Sequence, residues 1–268
     1  MNAGWTRSMA VVCLLAAPLT ASAQLLAAKD ALTGYGHHHL NVTDVAAHIK
    51  FFADTLGGTS VAAAGQQIVK FPNVLVFLRR QAPTGGSKGS VVDHVAFSVP
   101  KLDTVLARVK AGGYPVISTA TSPRVSALVM APDNLQVELV EVKGQPTPVA
   151  MHHVHFNAPD NIVMQTWYGT VLRVKPKAYS GQTVSFALPG AQLEFTKTRD
   201  EMAPLKGRVL DHIGFEVDNM DLFLDRLEDI GAPLTAPALM PGLSIPSAFL
   251  SDPWGTSIEL TEGLDKIK

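Results

Sequence analysis

Four stretches of the chain open on the same device, a histidine leading into a short strand-like run: GHHHLNVTD from Gly36, VDHVAFSVP from Val92, MHHVHFNAPD from Met151 and LDHIGFEVD from Leu210. With His37, His94, His153 and His212 aligned, the successive intervals are 57, 59 and 59 residues. Scattered surface histidines do not produce that regularity, so the chain is a fourfold repeat. The second and fourth units match best. Asp93, His94, Phe97, Val99, Asp103, Leu106, Arg108 and Gly113 recur 118 residues later as Asp211, His212, Phe215, Val217, Asp221, Leu224, Arg226 and Gly231. Units one and three share His37, His39, Asn41 and Asp44 with His153, His155, Asn157 and Asp160, which makes the repeat a pair of pairs.

Within a unit the hydrophobic spacing changes period. After the opening strand, Leu102, Val105, Leu106 and Val109 fall at i, i+3, i+4 and i+7, as do Met220, Phe223, Leu224 and Leu227. That spacing predicts helices, with Gly113 and Gly231 as stops. The remaining ~30 residues hold β-branched runs between Gly, Pro, Ser and Asn, room for about three strands. Each unit therefore reads βαβββ, and the class is α+β. The polar stretch KGQPTPVA from Lys143 lacks periodicity and reads as a linker between a first domain over 34–148 and a second over 149–265.

Side chains alternate across a strand, which sorts the faces. His94, Ala96 and Ser98 oppose Val95, Phe97 and Val99; His212, Gly214 and Glu216 oppose Ile213, Phe215 and Val217. The apolar face belongs on the helix, leaving each histidine on a concave face that forms a cavity. The closing strands behave alike: APDNLQVEL, ALPGAQLEF and SDPWGTSIEL place Glu138, Glu194 and Glu259 on the face opposite Val137, Leu193 and Ile258. The first unit departs, with Phe77 in FPNVLVFL where the others carry Glu. The second domain thus presents His153, Glu194, His212 and Glu259, and the first His37, His94 and Glu138. Imidazole with carboxylate suits Zn, Ni, Mn or Fe(II). His38 and His152 fall on the opposite face as packing or surface groups; His39 and His155 are placed to touch a ligand residue or a substrate.

Composition narrows the setting. The first 23 residues carry Arg7, the apolar run MAVVCLLAAPL and then Ala21-Ser22-Ala23, the pattern of a cleavable export signal. An apolar core of about a dozen residues is short of the ~20 a spanning helix needs, so no stable membrane anchor is expected after cleavage. The expected location is the periplasm or outside the cell. Cys13, the sole cysteine, lies in that leader, so thiol catalysis, disulfides and Cys-ligated zinc drop out. Beyond the leader, 21 Lys and Arg stand against 23 Asp and Glu, a balance that does not suit nucleic acid. A small-molecule substrate and a monomer or homodimer are the expectation.

The openings VDHVAFSV and LDHIGFEV and the closing DPWGTSIEL resemble the vicinal oxygen chelate superfamily, which includes glyoxalase I, extradiol dioxygenases, epimerases and bleomycin-resistance proteins. The resemblance covers nearly all of the chain beyond the leader. It implies four βαβββ modules forming two open-barrel domains, in which first-strand and last-strand positions meet at one metal. Carried over, His153, Glu194, His212 and Glu259 become the ligands of a glyoxalase-like lyase or isomerase. The metal then acts as a Lewis acid stabilising an enediolate, with Glu194 or Glu259 as base. One alternative is a ring-cleaving Fe(II) dioxygenase using His153, His212 and Glu259, although Phe249 and Leu250 stand where that family has a tyrosine. The other is a metal-free module that binds drug-like molecules.

Overall fold

The computed structural model describes residues 31–175 and 183–267; the proposed export signal over 1–23 lies outside the described residues. Four modules follow one another. The first comprises β1 (Thr33–Val42), α1 (Val45–Ile49), which winds on as a π-helical turn over Lys50–Thr55, then β2 (Thr59–Ala63), β3 (Gln66–Phe71) and β4 (Val74–Arg80). The second comprises β5 (Val92–Val99), α2 (Leu102–Ala111), β6 (Val116–Ala120), β7 (Ser126–Ala131) and β8 (Leu135–Glu141). The third comprises β9 (Ala150–Ala158), α3 (Asn161–Leu172), β10 (Thr183–Leu188) and β11 (Ala191–Lys197). The fourth comprises β12 (Leu210–Val217), α4 (Met220–Asp229), β13 (Ala238–Leu239), β14 (Pro246–Ser251) and β15 (Ser257–Thr261). The βαβββ reading holds for modules one, two and four; in the third, two strands follow the helix among the described residues.

Helix starts follow their caps. Asp44, Asp160 and Asn219 each accept from backbone N–H groups of the first turn, supplying partners the helix lacks. The predicted apolar stripes are the buried faces: Leu102, Val105, Leu106 and Val109 on α2, and Met220, Phe223, Leu224 and Leu227 on α4.

The modules join in an unexpected order. One sheet runs β13-β14-β15-β12-β1-β4-β3-β2, the other β10-β11-β9-β5-β8-β7-β6. Module one therefore shares a sheet with module four, and module two with module three. At the centre of each, two opening strands pair antiparallel, β1 with β12 and β5 with β9. Each opening strand also lies parallel to the closing strand of its own module. The halves 34–148 and 149–265 do not each close a sheet of their own.

The two modules of a half meet instead through their apolar sides. Phe71 of module one packs on Phe97 of module two at 4.7 Å between ring centres, with Phe52 6.1 Å from Phe97. In the other half Trp167 lies 6.3 Å from Trp254, and the Tyr168 hydroxyl donates to Asp252 at 2.9 Å. One continuous apolar core thus lies behind both sheets. A smaller cluster of Ile68, Leu75, Phe77, Met240, Ile245, Leu264 and Ile267 fills part of the concave face of the first sheet.

Asn73, in the β3–β4 turn, ties the sheets together. Its amide nitrogen donates to the carbonyls of Met151 (2.9 Å) and Gly190 (2.8 Å), and its oxygen accepts from the Met151 N–H (2.7 Å). Asn73→Ala leaves these peptide groups without partners, and we expect a loss of about 1–3 kcal/mol in urea unfolding. Asn73→Asp, which sets a carboxylate oxygen against both carbonyls, should cost at least as much; an Asn73→Ala variant as stable as wild type would count against this role.

Candidate metal centres

The register of β1 on β12 sets His39 opposite His212 and His37 opposite Gly214. β15 runs beside β12 with Glu259 next to Gly214, and β4 runs beside β1 with Phe77 next to His39. Four side chains from modules one and four therefore converge. Glu259 Oε2 lies 2.9 Å from His37 Nε2, 3.1 Å from His212 Nε2 and 3.6 Å from His39 Nε2. The ligand-type atoms of all four lie within 4.8 Å of one another.

Burial sharpens the electrostatics. Burial works against the Glu259 carboxylate, but hydrogen bonds from His212 and His37 outweigh it and hold its pKa below the usual carboxylate range. Burial lowers His37 and His39 despite Glu259. Burial opposes charge on His212 too, yet bonds to Asp211 and Glu259 leave that pKa raised. Asp211 holds His212 Nδ1 at 2.8 Å and is itself held by the Asn41 amide and the Gly207 N–H. Such a carboxylate behind an imidazole fixes which ring nitrogen faces inward.

The donor set fits a divalent metal on its own terms. Three imidazole Nε2 atoms and one carboxylate oxygen face a single point, and His39 Nε2 is buried with no hydrogen-bond partner. Gly214 makes room for the cluster: a Cβ there would lie 2.0 Å from the His37 ring.

The second sheet repeats the plan from modules two and three. His94 faces His155 across β5 and β9, and Ala96 faces His153. Glu138 of β8 lies 3.2 Å from His153 Nε2 and 3.6 Å from His94 Nε2. Glu194 of β11, where the first sheet has Phe77, lies 3.6 Å from His153 Nε2 and 3.7 Å from His155 Nδ1. Asp93 holds His94 Nδ1 at 3.0 Å as Asp211 holds His212. Burial pushes His153 down to about 3 despite Glu138 and Glu194.

The predicted residues are thus at clusters, but in other company. His153 and Glu194 do not join His212 and Glu259, and His37 does not join His94 and Glu138; each expected set is divided between the sheets, because the central strand pairs link modules of opposite halves. His39 and His155, expected beside the ligands, stand among them. His38 lies on the opposite face as expected, buried, with the Tyr35 hydroxyl hydrogen-bonded to its Nδ1 at 3.1 Å. His152, expected on the opposite face, instead brings a ring nitrogen to the second cluster: it is half-buried, its Nδ1 2.8 Å from His153 Nδ1, and its ligand-type atom lies within 4.8 Å of those of His153 and Glu194. Arg124, whose guanidinium enters the second cluster from the loop between β6 and β7, carries no mark in the sequence, nor does the role of Gly214. The two aspartates do carry one, in the repeated Asp-His pair Asp93-His94 and Asp211-His212.

A cavity of about 680 Å³ opens beside the first cluster, lined by His39, Phe77, His212, Met240, Phe249 and Glu259. A smaller one of about 420 Å³ adjoins the second, lined by Arg124, Glu138, His155 and Glu194.

No protein-family model matches the sequence, and no curated protein matches it by sequence. Solved structures do match. Glyoxalase I from Zea mays superposes with a TM-score of 0.69 at 16% identity, over 87% of this chain and 94% of that one. A putative dioxygenase from Bacillus subtilis superposes with a TM-score of 0.64 at 15% identity, over 85% and 84%. With its repeated modules paired across the two halves into curled mixed sheets, the chain has the vicinal oxygen chelate fold.

Proposed function

We propose that the chain is a metal-dependent enzyme of the vicinal oxygen chelate type, with its working centre at His37, His39, His212 and Glu259. The observation that carries this reading is the convergence of three imidazole Nε2 atoms on Glu259 Oε2 at the wall of a cavity sized for a small molecule. The leader sequence supports placing the protein in the periplasm or outside the cell.

His37, His39, His212 and Glu259 would hold a divalent ion, which would supply Lewis acidity toward a carbonyl oxygen and the negative charge left when the adjacent proton departs. The chain supplies the rest. Glu259 is the carboxylate that lines this cavity among the described residues, so accepting and returning the substrate proton falls to it; Glu194, across in the other sheet, has no part. Phe77, Met240 and Phe249 give the cavity apolar walls that keep water from the reacting atoms. The reaction favoured is a glyoxalase-like lyase or isomerase step on a small substrate with two adjacent oxygens.

One observation supports a second reading, ring cleavage by an Fe(II) dioxygenase. With Glu194 elsewhere, the centre holds imidazoles and a single carboxylate, a set suited to iron and dioxygen. Metal analysis followed by two assays separates the readings. A stoichiometric redox-inert metal with turnover of a methylglyoxal–thiol adduct supports the first; iron with oxygen uptake on catechols supports the second. Protein that binds no divalent metal sinks both.

Gly214→Ala drives a methyl group into the His37 ring, and we expect a folded protein, by circular dichroism, whose metal affinity falls at least tenfold. Unchanged metal content would remove His37 from the centre.

Metal affinity should also depend on pH with a defined sign. His37 and His39, lowered by burial, give up their protons more readily than a free imidazole, whereas His212 is raised and must release its proton before it can donate to a metal. Affinity therefore climbs about tenfold per pH unit below the His212 pKa and levels off above it. Titration calorimetry in buffers of different ionisation heat reads the released proton; binding without proton release near pH 6.5 would contradict the assignment.

A further inference from the structure

The second cluster has the same frame as the first and one carboxylate more, yet a side chain already stands at its centre. Arg124 extends from the loop between β6 and β7. Its Nη1 donates to Glu194 Oε1 at 2.7 Å and its Nη2 to Glu194 Oε2 at 2.9 Å, a two-pronged contact; Nη2 also lies 3.3 Å from Glu138 Oε2 and 3.4 Å from His153 Nε2. One guanidinium thus touches both carboxylates and a neutral imidazole, the groups that face inward from modules two and three. A planar cation with several donors is suited to that task. Two imidazole nitrogens around it, His94 Nε2 and His155 Nδ1, are buried with no hydrogen-bond partner.

The first cluster has no such plug. Phe77 replaces the second glutamate there, stacking on His39 at 4.4 Å, and no arginine or lysine makes an ion pair with Glu259 among the described residues. The charge count differs accordingly: a single carboxylate among imidazoles in one sheet, two carboxylates with a guanidinium in the other.

We infer that the second cluster is a divalent-cation site held shut by Arg124, which serves as a tethered cation in the place of the metal. The ligand-type atoms of His94, His153 and His155 lie within 4.8 Å of one another, Glu138 and Glu194 lie 3.2–3.7 Å from these imidazoles to complete the latent set, and the guanidinium, about one-third exposed, stands at its mouth. In the wild-type protein Zn²⁺ or Co²⁺ does not enter it, because a metal ion and the guanidinium cannot share the same carboxylates.

The experiment counts metal per chain by equilibrium dialysis of the full protein with Zn²⁺, and follows Co²⁺ absorption in the visible range. Arg124→Gln is expected to bind one equivalent more than wild type, with a new Co²⁺ band, while Arg124→Lys, which keeps a cation, stays at the wild-type count. Adding Glu138→Gln to Arg124→Gln should abolish the extra equivalent. The readout is a difference, so it holds whether or not the first centre binds metal, and the same gain is expected in a His212→Ala background. Should Arg124→Gln be unstable in chelator, Zn²⁺ should raise its melting temperature more than that of wild type. Equal metal counts in Arg124→Gln and wild type, loss of metal from wild type on Glu138→Gln alone, or no added Zn²⁺ stabilisation of Arg124→Gln would each overturn the inference.

Discussion

The antiparallel pairing of β1 with β12 is the constraint on which the candidate centre depends. It sets His39 opposite His212 and His37 opposite Gly214, and so brings side chains more than 170 residues apart in sequence within ligand distance. A slip of one residue in that register would turn His37 and His39 toward the apolar core and His38 toward the cavity. Such a slip is opposed from behind by Leu40, Phe215 and Ile213, which are fully buried on the other face. The apolar side of each central strand thereby fixes the chemistry of its polar side.

The same logic explains why modules of opposite halves share a sheet. A module alone has one apolar face and an opening strand left unpaired at one of its sheet edges. Its neighbour in sequence covers the apolar face, as the Phe71–Phe97 and Trp167–Trp254 contacts show, and a module from the other half covers the edge. Both needs are met only when all four modules are present, so each cluster is assembled from both halves of the chain. Asn73 reinforces this closure by bonding the β3–β4 turn of one sheet to β9 and the β10–β11 turn of the other.

Much of this was legible in the sequence, because local physics wrote it there. The His-strand opening, the 3.6-residue stripes of α2 and α4, and the alternation that puts His94 and Glu138 opposite Phe97 and Val137 all depend on neighbours a few residues away. The grouping of the ligands was not legible. Whether His153 meets His94 or His212 is decided by which opening strands pair, and all four opening strands have similar alternation and length. The linker at Lys143 encouraged a division into halves, whereas β9, just beyond it, pairs directly with β5. Arg124 was out of reach for another reason: it lies in the β6–β7 loop, whose counterparts between β2 and β3 and between β13 and β14 differ in length and sequence, and nothing local marks a lone arginine as aimed into a cavity.

The two clusters show how one frame is tuned by charge. Burying a carboxylate costs free energy unless donors surround it, and burying two close together costs more. In the second sheet Glu138 and Glu194 both stay ionised because a guanidinium and imidazoles face them, and both are held below the usual carboxylate range. In the first sheet Phe77 removes one of the two charges, and Glu259 alone is balanced by imidazole hydrogen bonds. An aromatic ring at that position also stacks on His39 and extends into the cavity wall, so a single exchange of glutamate for phenylalanine both lowers the charge and shapes the pocket. A centre that must admit a metal and a substrate needs donors left open toward a cavity, and that is the condition the first sheet meets and the second, with Arg124 across its carboxylates, does not.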